Sequence, residues 1–482
     1  MKVWPFAVAL ITVFCVACAG LPPKPKPAQL PAAAPLQGLE FTGGGEWPAR
    51  DWWTRYQDPT LDRLIELAVR SSPTLATAHA RYDSARQSVR LAGAAAGAHV
   101  EASADMDRQR LSNNGLIPPQ LLGFSWYNQA DLGLQASYTF DWWGKQHDAV
   151  AAAMDQAHAA QADRSAAALM LASSVADTYF GWQADQSRLR LARERESTVK
   201  EERAIAAARV NADLDAADGL DQADLSLAAA REQIAGLEGS AKLRVVALAA
   251  LVGRPMAELP TLQARPLPVS SGKLPDDVKI DLMARRADIT ASRWRVEVAE
   301  KQQQSARAEF FPDVSVNVLL GLSSIDVSKL IEYGSRVPQA SAAIHLPIFD
   351  AGRLKARYGA TQAAVDSAVA SYRDTLVSAA HDVAMQASTR AQIEAQRTQR
   401  ALELDAATKL RGSAAARVRQ GITDSRLELA ATESWIGQRD ALMQLDAAAL
   451  AADIALQRAL GGGYESPQKA ANSHSTSMTA TP

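Results

Sequence analysis

Four stretches of the chain alternate between apolar and polar residues, and a period of two marks a strand with one dry and one wet face. In Val100-Glu101-Ala102-Ser103-Ala104-Asp105-Met106-Asp107 the alternation is unbroken. A second stretch puts Ala130, Leu132, Leu134, Ala136, Tyr138 and Phe140 on one face and Gln129, Asp131, Gly133, Gln135, Ser137, Thr139 and Asp141 on the other. In the third, Val314, Val316, Val318 and Leu320 oppose Asp313, Ser315 and Asn317. In the fourth, Ala340, Ala342, Ile344, Leu346 and Ile348 oppose Ser341 and His345. Strands are therefore predicted over 98–110, 128–141, 312–323 and 338–349. Each pair precedes a long proline-free stretch: Gln146 to Asp218, with Gly181 as its one glycine, and Leu354 to Gln420, with Gly359 and Gly412. Ala, Leu, Arg, Gln and Glu fill both, and all favour helix. At ~1.5 Å per residue, such helices span roughly 95 Å. Sustained Leu or Ile heptads, which a filamentous coiled coil would need, are absent.

The pattern occurs twice. A shift of 208 residues brings Ala208-Arg209-Val210 onto Ala416-Arg417-Val418, Gly144-Lys145 onto Gly352-Arg353, and Gly253 onto Gly461. A shift of 214 brings Leu75 onto Ile289, Arg81 onto Arg295, Ala85 onto Ala299 and Val100 onto Val314. Two halves of about 200 residues share one layout of helix, two strands, long helix, turn and helix. The expected organisation is a signal over 1–17, an anchored N-terminus and proline-rich tether over 18–45, repeats over 46–260 and 261–464, and a disordered tail over 465–482.

Beyond the first residues no apolar run approaches the ~20 residues of a membrane helix, so a membrane crossing would have to be a barrel. Soluble antiparallel sheets alternate too, but aromatics bracket these strands. Tyr138, Phe140, Trp142 and Trp143, with Phe310, Phe311 and Phe349, gather at one end, and Phe124, Trp126 and Tyr127 at the other. They read as interfacial girdles, with core packing as the competing reading. Four strands cannot close a barrel, since the smallest have about eight, so the chain is expected to oligomerise, and three copies would give twelve.

Lys2, the apolar run Val3 to Val16 and the small residues Ala17 and Ala19 form a secretory signal. Val16-Ala17-Cys18-Ala19-Gly20 resembles a bacterial lipoprotein cleavage box, which implies acylation of Cys18. Cys15 stands where that box usually has Leu, and an ordinary signal is the alternative. Ala19, in place of Asp, implies outer-membrane sorting. Cys15 and Cys18 are the only cysteines, so the mature chain has neither an internal disulfide nor a thiolate metal cluster. A net charge of −2 argues against nucleic acid. His-Glu-x-x-His, a phosphate-binding glycine loop and Gly-x-Ser-x-Gly are all missing, His79, His147, His158 and His381 lack ligand spacing, and Gly461-Gly462-Gly463 reads as a helix C-cap. No enzymatic activity, cofactor or metal is expected. A periplasmic helical scaffold would explain the helices but neither the strands nor their aromatic ends.

The chain resembles TolC-type outer-membrane efflux factors, in particular their NodT-like lipoprotein branch. The resemblance rests on Trp52-Trp53, Asp58-Pro59 and Leu61, Ser72-Pro73-Thr74-Leu75, Phe140-Asp141-Trp142-Trp143-Gly144-Lys145 and Arg285-Arg286-Ala287-Asp288-Ile289. It continues through Phe311-Pro312-Asp313-Val314, Leu346-Pro347-Ile348-Phe349-Asp350-Ala351-Gly352-Arg353 and Ala459-Leu460-Gly461-Gly462-Gly463-Tyr464. It implies a predominantly α fold, with a long helical barrel and a transmembrane β-barrel of four strands per chain in a homotrimer. It also implies a passive exit duct in the outer-membrane lipid, with a periplasmic adaptor and an inner-membrane transporter as partners.

In this family the duct closes at the helix turns through acidic and basic side chains. Here those turns hold Asp213, Asp215, Asp218, Asp221 and Asp224 in the first half and Asp424 and Glu428 near Arg417, Arg419 and Arg426 in the second. Arg417 and Arg419 are expected to bridge to the first turn. The chain departs from the family at Ala430, where an acid is usual, and at Arg426, where an apolar constriction is usual. Solvated helix caps are the competing reading of these acids.

Overall fold

The computed structural model describes residues 21–31, 45–114, 118–269, 275 and 278–465. The signal, Cys18 and the tail beyond 465 lie outside the described residues. Each half begins with two helices, not the single one expected: α1 (Pro59–Ser71) and α2 (Pro73–Ala95), then α5 (Val278–Arg285) and α6 (Ala287–Ala308). Strands β1 (His99–Arg110) and β2 (Trp126–Phe140) follow in the first half, and β3 (Asp313–Ser324) and β4 (Arg336–His345) in the second. The first half closes with α3 (Lys145–Asn211) and α4 (Asp218–Val252), the second with α7 (Arg353–Arg419) and α8 (Ser425–Ala459). Both α3 and α7 have 67 residues. Strand β4 stops four residues before the expected end, just ahead of Pro347, which has no N–H to give a ladder.

The chain forms two units, one of residues 1–30, 82–159 and 292–372, the other of residues 31–81, 160–291 and 373–482. The first holds a four-stranded antiparallel sheet in the order β1-β2-β3-β4. Residues 21–31 of the proline-rich segment have no helix or strand and are hydrogen-bonded to the first unit. The Arg307 Nε donates to the Pro22 carbonyl (3.1 Å), the Tyr358 hydroxyl to the Pro23 carbonyl (3.2 Å), and the Ala28 N–H to Glu300 Oε1 (2.5 Å).

The second unit has its core where α1 meets α3, α4 and α8. Asp58 caps α1 by accepting from the Thr60 N–H (2.9 Å), and Pro59 supplies the fixed φ of a first helical residue. Leu61, Leu64, Ile65 and Ala68 then fall on one stripe and are wholly buried with Val175, Ala176, Leu248 and Leu450. Ion pairs tie α3 to α8, with Arg188 bidentate on Asp440 (2.8 and 3.0 Å) and Arg195 on Glu433 (2.8 Å). After α8, Gly461 and Gly463 adopt left-handed φ of 92° and 78°. A Cβ on Gly461 would fall on the Arg285 carbonyl and one on Gly463 on the Ala49 backbone, so the glycines end the helix and admit a close approach of other chain segments.

Candidate functional site: a two-faced sheet and two helix turns

Register joins the alternation of single strands into two faces. Ala102 stands beside Leu134, Leu134 beside Leu320, and Leu320 beside Pro338. One residue along, Glu101 stands beside Gln135, while Ser137, Asn317 and Ser341 form a polar row. Had any strand slipped by one residue, its apolar set would have crossed to the other face. Leu132, Leu134 and Leu320 are 46, 48 and 60% exposed, so at these positions no described part of this chain covers the apolar face. An uncovered apolar area of this kind marks contact with protein or membrane.

The aromatic residues flank that face. At the helix end Tyr138 and Phe140 meet edge to face (5.0 Å), Phe140 stacks on Trp142 (5.8 Å), and Trp143 stacks on Phe311 (4.5 Å). The Trp143 Nε1 donates to the Pro312 carbonyl (3.0 Å), and Lys145 pairs with Asp313 (3.3 Å). Phe349 projects from the connection beyond β4, 89% exposed. Trp126 begins β2 at the opposite end, with the Arg108 guanidinium 5.7 Å from its ring.

The helix turns belong to the second unit and are built alike. Asp213 and Gly421, 208 residues apart, both take left-handed φ, 55° and 70°. The Leu214 N–H bonds to the Arg209 carbonyl (2.9 Å) and the Ile422 N–H to the Arg417 carbonyl (3.0 Å). The side chains differ. Arg209 grips Asp215 (2.6 and 2.9 Å), and Arg203 pairs with Asp224. Asp424 caps α8 through the Arg426 N–H (3.0 Å) and also binds the Arg426 guanidinium (2.7 Å). Arg419 donates to the Ala415 carbonyl of its own helix (3.3 Å), and no ion pair forms at Arg417 among the described residues. Asp213, Asp218 and Asp221 are exposed, and Glu428 is half-buried. Within one chain the expected bridge from Arg417 and Arg419 to the first turn is thus not made.

The Arg209 guanidinium beside Asp215 holds that carboxyl below the usual range, with a smaller pull from Arg426. Arg426 does the same for Asp424, first through its side chain and then through its N–H, with a further pull from Arg209. The two turns therefore lie within electrostatic reach of each other.

Sequence reasoning passed over a buried polar lock in the same unit. Asp453, 0% exposed, accepts from the Tyr56 hydroxyl (2.7 Å) and from Arg390 (3.2 Å). Burial, then the Asp453 carboxylate, push the Tyr56 hydroxyl far above its ordinary value. Asp58 accepts from the Tyr179 hydroxyl (2.8 Å), which burial and this bond push up to about 12. The available signal was a lone acid in the apolar run Ala447 to Ile454.

Comparison with known proteins decides what this arrangement is. The family model "Outer membrane efflux protein" matches residues 64–254 and 281–462, one block in each half. The chain belongs to the outer membrane efflux protein family. It is 31% identical over 450 residues to the multidrug resistance outer membrane protein MdtP of Escherichia coli K12, covering 91% of each chain. The outer membrane protein VceC of Vibrio cholerae superposes with a TM-score of 0.79 at 31% identity, over 87% of this chain and 100% of that one. The outer-membrane channel OprN superposes with a TM-score of 0.82 at 26% identity, over 92% and 99%. This outer membrane efflux protein is therefore a channel and not an enzyme, with the helical-barrel and β-barrel fold the resemblance implied. No described helix is long and apolar enough to cross a membrane.

Proposed function

We propose that three copies join edge to edge into a twelve-stranded outer-membrane barrel, the exit duct of a tripartite efflux system. The sheet carries this reading, because it has one apolar face, one polar face and two free edges, β1 and β4. Setting β4 of one copy beside β1 of the next keeps every pair antiparallel and leaves no edge. Apolar residues would face lipid and Gln135, Asn317 and Asp105 would face water, with Trp126, Tyr138, Trp142, Trp143, Phe311 and Phe349 at the interfaces. A periplasmic adaptor and an inner-membrane transporter would select the cargo and supply energy, and drugs or other small molecules would pass passively. Acylated Cys18 would add a lipid anchor, and the turns with Asp213, Asp215, Asp218, Asp221, Arg417, Arg419, Asp424 and Glu428 would close the duct. The test is single-channel recording on protein extracted from outer membranes and sized without heating. A trimer with discrete conductance steps is expected, and a monomer that conducts nothing would sink the proposal.

A further inference from the structure

The apolar face of the sheet does not end alike at its two ends. At the helix end Lys145 pairs with Asp313 (3.3 Å) and Arg357 with Glu309 (3.2 Å), while Arg307 lies over Phe311 and donates to the Pro22 carbonyl. At the loop end, β1 finishes with Arg108 and Arg110, which share a face with Ala102, Ala104 and Met106 because they lie an even number of residues away. Strand β4 begins with Arg336, paired in register with Leu322 of the same apolar row. None of the three arginines makes an ion pair among the described residues. Aromatic rings flank two of them, Arg108 over Trp126 (5.7 Å) and Arg336 over Tyr333 (4.3 Å). Acids at this end of β1 and β2 lie on the other face, at Asp105, Asp107 and Asp131.

The β3–β4 connection extends the apolar face. Its turn Val327–Lys329 packs against β2, and Ala130, on the same face as Leu132, is 5% exposed. Ile325, Ile331 and Tyr333 of this connection are 57, 88 and 80% exposed. Asp326 spends its carboxylate on the Ser328 N–H (3.0 Å) and hydroxyl (2.7 Å), not on an arginine.

We propose that this end of the lipid-facing surface binds phosphate-bearing anionic lipid headgroups of the outer leaflet. Arg108, Arg110 and Arg336 hold the phosphates, while Ile325, Ile331 and Tyr333 rest against the upper acyl chains. A guanidinium with no carboxylate partner has its whole donor fork free for a phosphate. Trp126 and Tyr333 restrain the guanidinium planes by cation–π contact. Nothing of the chain's own needs to be displaced, and although the arginines lie on the edge strands β1 and β4, edge-to-edge pairing with a second copy would use backbone groups and leave side chains standing on this face. The proposal rests on the sheet spanning the outer membrane.

Spin-labelled lipids test it with the full-length protein reconstituted in phosphatidylcholine vesicles. Labelled phosphatidic acid should be immobilised in preference to labelled phosphatidylcholine, by a factor that falls about fivefold for each arginine removed. Arg108→Gln, Arg110→Gln and Arg336→Gln together should abolish the preference, and the corresponding Lys replacements should keep most of it. At about 1 M salt the wild-type preference should shrink, because charges are then screened within a few ångströms. An unchanged preference in the triple Gln variant, with its heat-modifiable gel mobility intact, would overturn the proposal, as would a wild-type channel with no preference. Were the sheet not in the membrane, no lipid of either headgroup would be immobilised, a result distinct from both.

Discussion

Arg209 holds Asp215 through two guanidinium nitrogens, at 2.6 and 2.9 Å, whereas Arg417, its counterpart 208 residues on, faces a sequence in which Thr423 replaces that acid. The backbone of the two turns is the same, down to the left-handed residue and the bond that follows it. The first turn therefore neutralises its arginine internally, and the second leaves a cation available to another group.

The acids of these turns give a pH prediction. A carboxyl held below its ordinary value favours the ionised, paired form above the ordinary range and loses that advantage as pH falls through the lowered value. Asp215, Asp224 and Asp424 are all held down, each chiefly by its arginine partner. Conductance should therefore be flat from about pH 8 to about pH 5 and change only below about pH 4, where carboxyls protonate. A titration centred near neutrality in planar-bilayer recordings would show that another group governs the turns.

Asp453 should matter for folding more than for flow. It is fully buried, and removing it leaves the Tyr56 hydroxyl and the partly buried Arg390 without their acceptor. Breaking a buried charge pair from one side typically costs about 3–5 kcal/mol. Asp453→Leu should lower the thermal midpoint followed by far-ultraviolet circular dichroism, and Tyr56→Phe should lower it less. Equal midpoints for wild type and Asp453→Leu would contradict the role given to this lock.

Leu134 and Gln135 are neighbours on opposite faces of the sheet. Leu134→Arg near the middle of the bilayer should destabilise the barrel by about 2–4 kcal/mol, read from denaturant unfolding in lipid, while Gln135→Arg should mainly change conductance. Cysteines at the two positions should differ in labelling by a water-soluble maleimide. Equal labelling would mean that the faces have been misassigned.

The sheet was legible in the sequence because its side chains repeat every two residues, and among the described residues most of its apolar positions, Leu132, Leu134 and Leu320 among them, stay uncovered. Val100, Leu134 and Val314 declared their faces with no knowledge of pairing. The long helices were legible from composition, but the helices before each strand pair were undercounted. Pro73 marks the break between α1 and α2, and a proline at a first helical position restarts a helix as readily as it ends one. The turns were only half legible. Sequence showed a crowd of acids, while the choice of partner depends on reach: Asp215 lies six residues from Arg209, and Asp424 two from Arg426. The link of Tyr56 to Asp453 spans 397 residues, and local pattern carries no trace of it.

Cys18 should carry acyl chains. The cleavage box motivates this, together with a following segment whose Pro22 and Pro23 carbonyls are held by Arg307 and Tyr358. Cys18→Ser should abolish incorporation of labelled fatty acid while leaving the oligomer intact, because a lipid chain adds to a barrel already inserted. Persistent labelling would remove the anchor and leave the channel reading standing.

The gate prediction follows from the cation left over in the second turn. In a ring of three copies every turn residue recurs around one axis, so the surplus acids at Asp213, Asp218 and Asp221 repel one another unless a cation intervenes. Arg417 has no ion pair among the described residues, where Arg419 is bound to a backbone carbonyl of its own helix. Both stand on the last turn of α7, within the same unit as those acids. Replacing both by Glu turns two neutralising charges per copy into two more repelling ones, while the backbone bonds that shape the turn do not involve the side chains. The double variant should raise single-channel conductance and admit large antibiotics such as vancomycin into cells. Replacement of both by Gln should have a smaller effect in the same direction, since it removes attraction without adding repulsion. High salt should raise wild-type conductance beyond the bulk increase, because exposed pairs are screened within a Debye length. Wild-type conductance in the Glu variant at normal oligomer yield would mean that these turns are solvated caps and that closure lies elsewhere along the helices.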